Sequence, residues 1–455
     1  MAVEAKLTVG PVGPGLLRLT APMILGISSS LVAGLLEAWY LGQVSTEALA
    51  AYSFTFPVTG ALMSLSMGVS IGVSSVLART VGEGNQGAIR RIATDGLLLA
   101  AVIMIVTSVL GWVTIEPLFR VLGADEVTLP LVADFMVVWY FSLVFMALPA
   151  VGANAMRAAG DAKISGTIMV SGSLLQMALG PLLIFGLLGL PAMGLQGAAW
   201  ANLLARVLIC GVTLYVLIYR EQLLDLAAVA LDQVLDSWRR IMVVSIPATA
   251  TNLVGPISTA IVVSLLAGYS QETVAGFGIA SRIEGLFVIP LFALSASIGP
   301  FVGQNWGKEA YARADLAMKL SFAYSVAWGL FVAVLLFFAG DWLSALFDDH
   351  PDVIATAAMY LLIVPISYGG WGVLMMTSAI FNSLGKPIVS TMLSLVRMFV
   401  IYVPFAVAGN ALFGLPGIFA AACLANAAMG LVGYVLNRRI FGETLRRGDV
   451  LLEAT

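Results

Sequence analysis

Glu37 lies in the run Val32-Ala33-Gly34-Leu35-Leu36-Glu37-Ala38-Trp39-Tyr40-Leu41-Gly42, inside an apolar stretch from Ala21 to Leu41. About 20 helical residues at roughly 1.5 Å each cross a hydrocarbon core of about 30 Å, so this stretch is long enough to span a bilayer. An ionisable group there is costly unless it faces a protein cavity. A carboxyl in low dielectric also holds a proton more readily than one in water. The chemistry open to Glu37 is therefore to load a proton on one side of a membrane and release it on the other. The bland alternative is an interfacial carboxyl beside Trp39 and Tyr40. Sodium binding would need several more oxygens than one carboxylate supplies. Available partners are few: the amides of Gln176 and Asn202, and two prolines. Pro181 frees a backbone carbonyl in its own apolar run, and Pro22 is placed to bend the helix that carries Glu37.

A second polar group is Arg282-Ile283-Glu284. Two residues apart on a helix, these side chains point to different faces, so they do not form a simple pair. Arg397, in a later apolar run, is a candidate partner for Glu284. These three residues form a candidate cavity or second-lobe polar site. Met63 and Met67 add an adaptable apolar surface for ligands, although methionines at helical spacing more often simply pack. Asp95 and Asp134 sit near run ends, where snorkelling to the interface is expected. Other chemistries are excluded by inventory. His350 is the only histidine, and Cys210 and Cys423 are isolated in apolar runs, so neither a disulfide framework nor a metal site can be built. With no Ser/His/Asp set and no phosphate-binding Gly-x-x-x-x-Gly-Lys-Ser/Thr motif, an enzyme or a nucleotide-driven pump of that kind is not expected.

The elements that must position these groups are transmembrane helices. The 455 residues are 60% hydrophobic and only 10% charged, against about 25% charged in a soluble domain. Twelve apolar segments fall near 16–42, 50–79, 92–114, 128–155, 164–188, 194–219, 242–268, 274–304, 316–340, 353–381, 389–410 and 415–436. Of the 22 Lys and Arg, only Arg120 falls in one set of alternate loops. Arg206, Arg282 and Arg397 fall inside spans, and the rest lie on the other side. By the positive-inside rule both termini are cytoplasmic. A net charge of −3 carries no nucleic-acid signal.

The second half repeats the first at an offset of 225 residues. Pro22 meets Pro247, Ser45-Thr46-Glu47 meets Ser270-Gln271-Glu272, and Gly82, Gly160 and Ser165 meet Gly307, Gly385 and Ser390. Six spans restore the starting side of the membrane, so the repeats are parallel. The expected fold class is an all-α polytopic membrane protein of 12 transmembrane helices in two six-helix lobes, related by a pseudo-twofold axis along the membrane normal. Such repeats enclose a central site and work by alternating access. The expected divisions are an N-terminal lobe at 12–219, an amphipathic cytoplasmic linker helix at 220–237, a C-terminal lobe at 238–437 and a cytoplasmic tail at 438–455. Glu37 has no counterpart, because its position in the second repeat is Val262.

Taken in order, these residues resemble the multidrug and toxic compound extrusion (MATE) transporters. The resemblance runs through Pro22, Glu37 to Gly42, and Ala78-Arg79-Thr80-Val81-Gly82-Glu83-Gly84. It continues through Arg157-Ala158-Ala159-Gly160-Asp161, Gly180-Pro181-Leu182-Leu183 and Gly194-Leu195-Gln196-Gly197. In the second half it is carried by Arg282-Ile283-Glu284, Pro300-Phe301-Val302-Gly303-Gln304-Asn305-Trp306-Gly307 and Phe381-Asn382-Ser383-Leu384-Gly385-Lys386-Pro387. It implies a V-shaped pair of six-helix lobes in a bacterial inner membrane. Small amphipathic or cationic drug-like compounds would leave in exchange for H⁺ or Na⁺, with no cofactor and a monomer as the working unit. The DinF-like branch of the family couples through a span 1 aspartate with an Asn and an Asp four residues apart in span 5. The matching positions here are Glu37, Gln176 and Gly180, so a carboxyl is kept in span 1 and absent from span 5. The NorM-like branch uses a span 7 glutamate, and the region near Gly255-Pro256 has none. Fewer oxygen ligands favour H⁺ over Na⁺. The competing expectations are Na⁺-coupled export and a flippase for lipid-linked precursors.

Overall fold

The computed structural model describes residues 4–225 and 231–453. Its first repeat contains α1 (Val12–Val44), α2 (Thr46–Glu83), α3 (Gln86–Val121), α4 (Thr128–Phe141), α5 (Leu143–Ala158), α6 (Ala162–Ile184) and α7 (Gly194–Tyr215). The second contains α8 (Leu231–Ala267), α9 (Gln271–Gly307), α10 (Tyr311–Ala345), α11 (Pro351–Ile363), α12 (Tyr368–Ser383), α13 (Pro387–Leu395), α14 (Val403–Phe413) and α15 (Leu415–Glu453). Eleven helical stretches are long and apolar enough to cross a membrane. The pair α4 and α5, bent by 44° at Ser142, completes the twelve expected spans. No strand occurs among the described residues.

The repeat is visible in local backbone chemistry. Ser45 caps α2 by accepting from the Ala48 amide, and Ser270, 225 residues later, caps α9 by accepting from Thr273. Each hydroxyl satisfies an amide that the first helical turn leaves unpaired. Gly160 and Gly385 both take positive φ after their helices, at 95° and 72°. Gly84, at φ 80°, ends α2 in the left-handed region, and its counterpart Glu309 adopts φ 61° without the freedom of a glycine. Span 4 breaks at Ser142, and span 10 breaks in a 3₁₀ turn, Val364–Ser367. Ser367 is the counterpart of Ser142.

The helices divide into two units. One comprises Met1–Lys6 and Ala21–Thr249, the other Leu7–Thr20 and Ala250–Thr455. Within the first, apolar clusters surround Val73, Ile89 and Met156 at one end and Phe119, Phe135 and Trp139 at the other. The second is centred on Ile283, Leu336, Tyr368 and Phe419. In the second unit the N-terminal segment is tied to the end of α9 and the start of α10. Gln304 Oε1 accepts from the Leu7 amide at 3.0 Å, Asn305 Nδ2 donates to the Leu7 carbonyl at 3.1 Å, and Arg313 Nη1 donates to the Gly10 carbonyl at 2.8 Å.

Two expectations need correcting. The linker helix does not form over 221–225, because Gln222 is left-handed at φ 50° and Leu223 turns back to bury itself in the core beside Leu217. The expected linker residues 226–230 lie outside the described residues, and α8 begins at Leu231. Asp95 does not snorkel: it is buried and paired with Arg91 Nε at 3.3 Å, one helical turn away. That pairing offsets the cost of taking a carboxylate out of water.

What places Glu37 is the seam between α1 and α6, built from small residues as membrane helix contacts usually are. A Cβ on Gly166 would meet the Pro22 carbonyl oxygen at 2.7 Å, and one on Gly26 would meet Met169 at 3.0 Å. Ser29 and Ser30 each lie within 3.3 Å of the Ser173 hydroxyl. Higher up, a Cβ on Gly180 would meet the Tyr40 ring at 3.3 Å. α1 runs unbroken through Pro22, and α6 through Pro181. Gly166→Ala should therefore push α6 off Pro22, costing about 1–3 kcal/mol as overpacked sites do. Thermal unfolding in detergent measures this. An unchanged midpoint would show that the seam is looser than described.

Candidate functional site

Glu37 sits about four turns along α1 from the α6 contact at Pro22, and the residue is 8% exposed. Gln176 Nε2, on α6, donates to Glu37 Oε2 at 2.7 Å, and Asn202 Nδ2, on α7, donates to Glu37 Oε1 at 2.6 Å. The tight connection between α6 and α7 brings the two amides together. A Cβ on Gly197 would meet the Leu183 carbonyl oxygen at 2.4 Å, so the start of α7 lies directly against the end of α6. The three expected coupling residues thus form one cluster. It borders a cavity of about 220 Å³, its open side included, lined also by Ala33, Tyr40, Met177 and Gly180.

Residues outside the expected coupling set, centred on Arg206, complete the surroundings. Arg206 follows Asn202 by one turn on α7, so both face the same way. Its guanidinium interacts electrostatically with Glu37 and with Tyr52 of α2. Arg206 Nη1 donates to the Ser142 hydroxyl at 2.5 Å, at the bend in span 4, and the guanidinium lies 5.1 Å from the centre of the Trp139 ring. The spacing Asn202 to Arg206 was available in the sequence. The distance from span 4 to span 6 was not.

In the second unit, Tyr360 donates to Glu284 Oε2 at 2.7 Å, while Arg282 is exposed on another face of α9. Arg397 lies in a π turn, Val396–Tyr402, and interacts electrostatically with Glu284. Its Nη1 donates to Asn426 Oδ1 at 2.9 Å, and Asn426 Nδ2 donates to the Ser367 hydroxyl at 3.0 Å. The Glu284–Arg397 relation is thus electrostatic, and Arg397 is held by an amide. Arg282 takes no part in this cluster. Met63 and Met67 are exposed on α2, at 45% and 53%, away from the residues lining the Glu37 cavity. Val262, the counterpart of Glu37, is buried among apolar side chains.

The MatE family model matches this chain twice, over residues 22–182 and 247–408, and the two matches begin at the paired prolines Pro22 and Pro247. The chain belongs to the MatE family. A relative from Shewanella oneidensis described as an FAD transporter is 34% identical over 430 residues, spanning 94% of this chain and 95% of that one. The multidrug export protein MepA of Staphylococcus aureus is 23% identical over 449 residues, spanning 95% and 96%. The Vibrio cholerae MATE transporter VcmN in its bent form shares the fold at a TM-score of 0.89 with 23% identity, over 96% of this chain and 98% of that one. The protein is therefore a multi-pass membrane transporter and not an enzyme.

Within this MatE protein the span 5 position that lacks a carboxyl is covered. The Tyr40 ring rests on Gly180 and packs edge-on against Phe185 at 5.9 Å between ring centres. Even a Cβ at 180 would need that ring to give by a few tenths of an ångström. The groups that face Glu37 from α6 and α7 are N–H donors, suited to a carboxylate.

Proposed function

We propose that this protein exports small amphipathic organic compounds by exchange with protons that bind at Glu37. The observation that carries this reading is the Glu37 carboxyl itself, nearly enclosed, held by two amide donors and bordering a cavity. The charge distribution of the loops supports cytoplasmic termini, and family membership supports a place in a bacterial inner membrane.

The hydrogen-bond pattern suits a proton switch. An ionised carboxyl accepts at both oxygens, whereas a protonated one must donate from one of them. Asn202 Nδ2 also donates to the Ala198 carbonyl at 3.1 Å, which fixes that amide on α7. Among the described residues, the Gln176 side chain bonds only to Glu37. On protonation the Gln176 amide turns and offers its carbonyl, so the α1–α6 bond reverses while the α1–α7 bond persists. Substrate and proton then exclude one another through a coupling that must be reciprocal.

Purified protein in liposomes under a proton gradient alone, then a sodium gradient alone, tests this reading. Uphill export should follow the proton gradient, and export driven only by sodium would overturn the assignment. Gln176→Leu should slow proton-driven export by roughly tenfold or more, because it removes a hydrogen bond to a charged group. Wild-type rates in that variant would show that Gln176 is a bystander.

A second reading of the cargo is favoured by the relative described as an FAD transporter. Under it the exported compound is a flavin nucleotide, with the same proton coupling.

A further inference from the structure

Three arginines lie within the membrane-spanning helices away from the loops, and two are occupied. Arg206 bonds Ser142 and Arg397 bonds Asn426. Arg282 differs from both. It stands about 16 Å along α9 from Gln271, at roughly 1.5 Å per residue. It is exposed, and among the described residues its side chain has no hydrogen-bond or ion-pair partner. The acid on its own helix, Glu284, is about 200° around the axis and bonded to Tyr360, so it does not neutralise the guanidinium. Gly278 and Gly285 flank Arg282 one turn before and one turn after. A Cβ added to either would meet nothing within 4 Å, so the surface around the guanidinium is open down to the backbone.

A charged side chain facing lipid is costly, about 2.5–3.5 kcal/mol at the bilayer centre even on the mildest scale. The face of α9 that carries Arg282 is therefore one that meets water or a polar ligand. A guanidinium offers a planar fork of donors that fits a phosphate with two parallel hydrogen bonds.

We propose that Arg282, in the open surface between Gly278 and Gly285, is a binding site for the phosphate-ester group of the exported compound, so that the protein selects phosphorylated cargo over cargo that lacks a phosphate. The proposal rests on the export reading above but concerns cargo recognition only. A phosphate ester reaches such a surface from two sources, a soluble nucleotide or a phospholipid headgroup, and we assign the soluble one.

The test is equilibrium binding to the purified full-length protein in phosphatidylcholine vesicles with no gradient. Three flavins are compared that share one ring system: riboflavin, its monophosphate and its adenine dinucleotide. Wild type should bind the two phosphorylated flavins more tightly than riboflavin. Arg282→Gln should weaken both by about tenfold to a hundredfold and leave riboflavin unchanged, because a charge-assisted contact is lost. Arg282→Lys, which keeps the charge without the fork, should fall between. Equal binding of all three flavins by wild type, or equal loss of all three in Arg282→Gln, overturns the proposal. So does an effect seen only on binding of vesicles containing phosphatidylglycerol, which would assign the guanidinium to a lipid headgroup. Because no gradient is applied, failure of proton coupling would leave this result standing, and failure here would leave proton-coupled export of other cargo standing.

Discussion

Glu37→Gln should abolish proton-driven export and leave the protein folded. Glutamine keeps the length and planarity of the side chain but cannot take up or release a proton. It presents one acceptor and one donor group, as a protonated carboxyl does. The variant should therefore sit permanently in the proton-loaded arrangement, with Gln176 turned and Asn202 still bonded to Ala198 and to residue 37. Substrate affinity in this variant should be weaker than in wild type by roughly 5- to 150-fold, the range of ordinary coupling energies. It should also no longer change between about pH 5.5 and about pH 8, where a coupling group must titrate to be useful. Binding isotherms at the two pH values measure both quantities. A variant whose affinity still responded to pH as wild type does would sink the role of Glu37.

Arg206→Leu should be the most damaging change outside Glu37 itself. It removes the electrostatic partner of Glu37 and the donor to Ser142, and it leaves the Trp139 face uncovered. The effect should not add to that of Glu37→Gln. Once the carboxyl is neutral, the loss of the cation matters less, so the double variant should be more stable than the sum of the single changes predicts. Groups coupled through one network show interaction energies of about 0.5–3 kcal/mol. Thermal unfolding of wild type, both single variants and the double variant gives the value directly. Strict additivity would place Arg206 at the span 4 bend alone, with no part in the proton site.

Much of this was readable from residues. The number of spans, the repeat and the carboxyl at Glu37 follow from lengths, offsets and the cost of charge in lipid. The amides of Gln176 and Asn202 were the scarce polar groups of their spans, and they do meet Glu37. Arg206 was visible one turn beyond Asn202, but only packing shows that its guanidinium reaches across to Ser142. Arg157, expected as a cation flanking a loop, is instead buried, with Nη1 3.0 Å from the Met23 sulfur and 3.4 Å from the Ser165 hydroxyl. Sequence separation cannot report that a loop-proximal cation turns inward against α1 and α6. Nor could the absence of a span 5 acid reveal that the Tyr40 ring covers Gly180.

The broken fourth span of each repeat also separates what the two halves share from what each holds alone. The break at Ser142 and the break ending at Ser367 occupy equivalent positions, and each serine accepts from a side chain of the last span of its repeat, Arg206 in one and Asn426 in the other. Features held by both halves trace most simply to the single ancestral half. The acids do not correspond in this way: Glu37 faces Val262 in the alignment of the halves, and Glu284 faces Thr59. The bend and its serine are common to both halves, whereas the donors Arg206 and Asn426, which pair with Leu431 and Ala201, and the acids Glu37 and Glu284 each belong to one half alone.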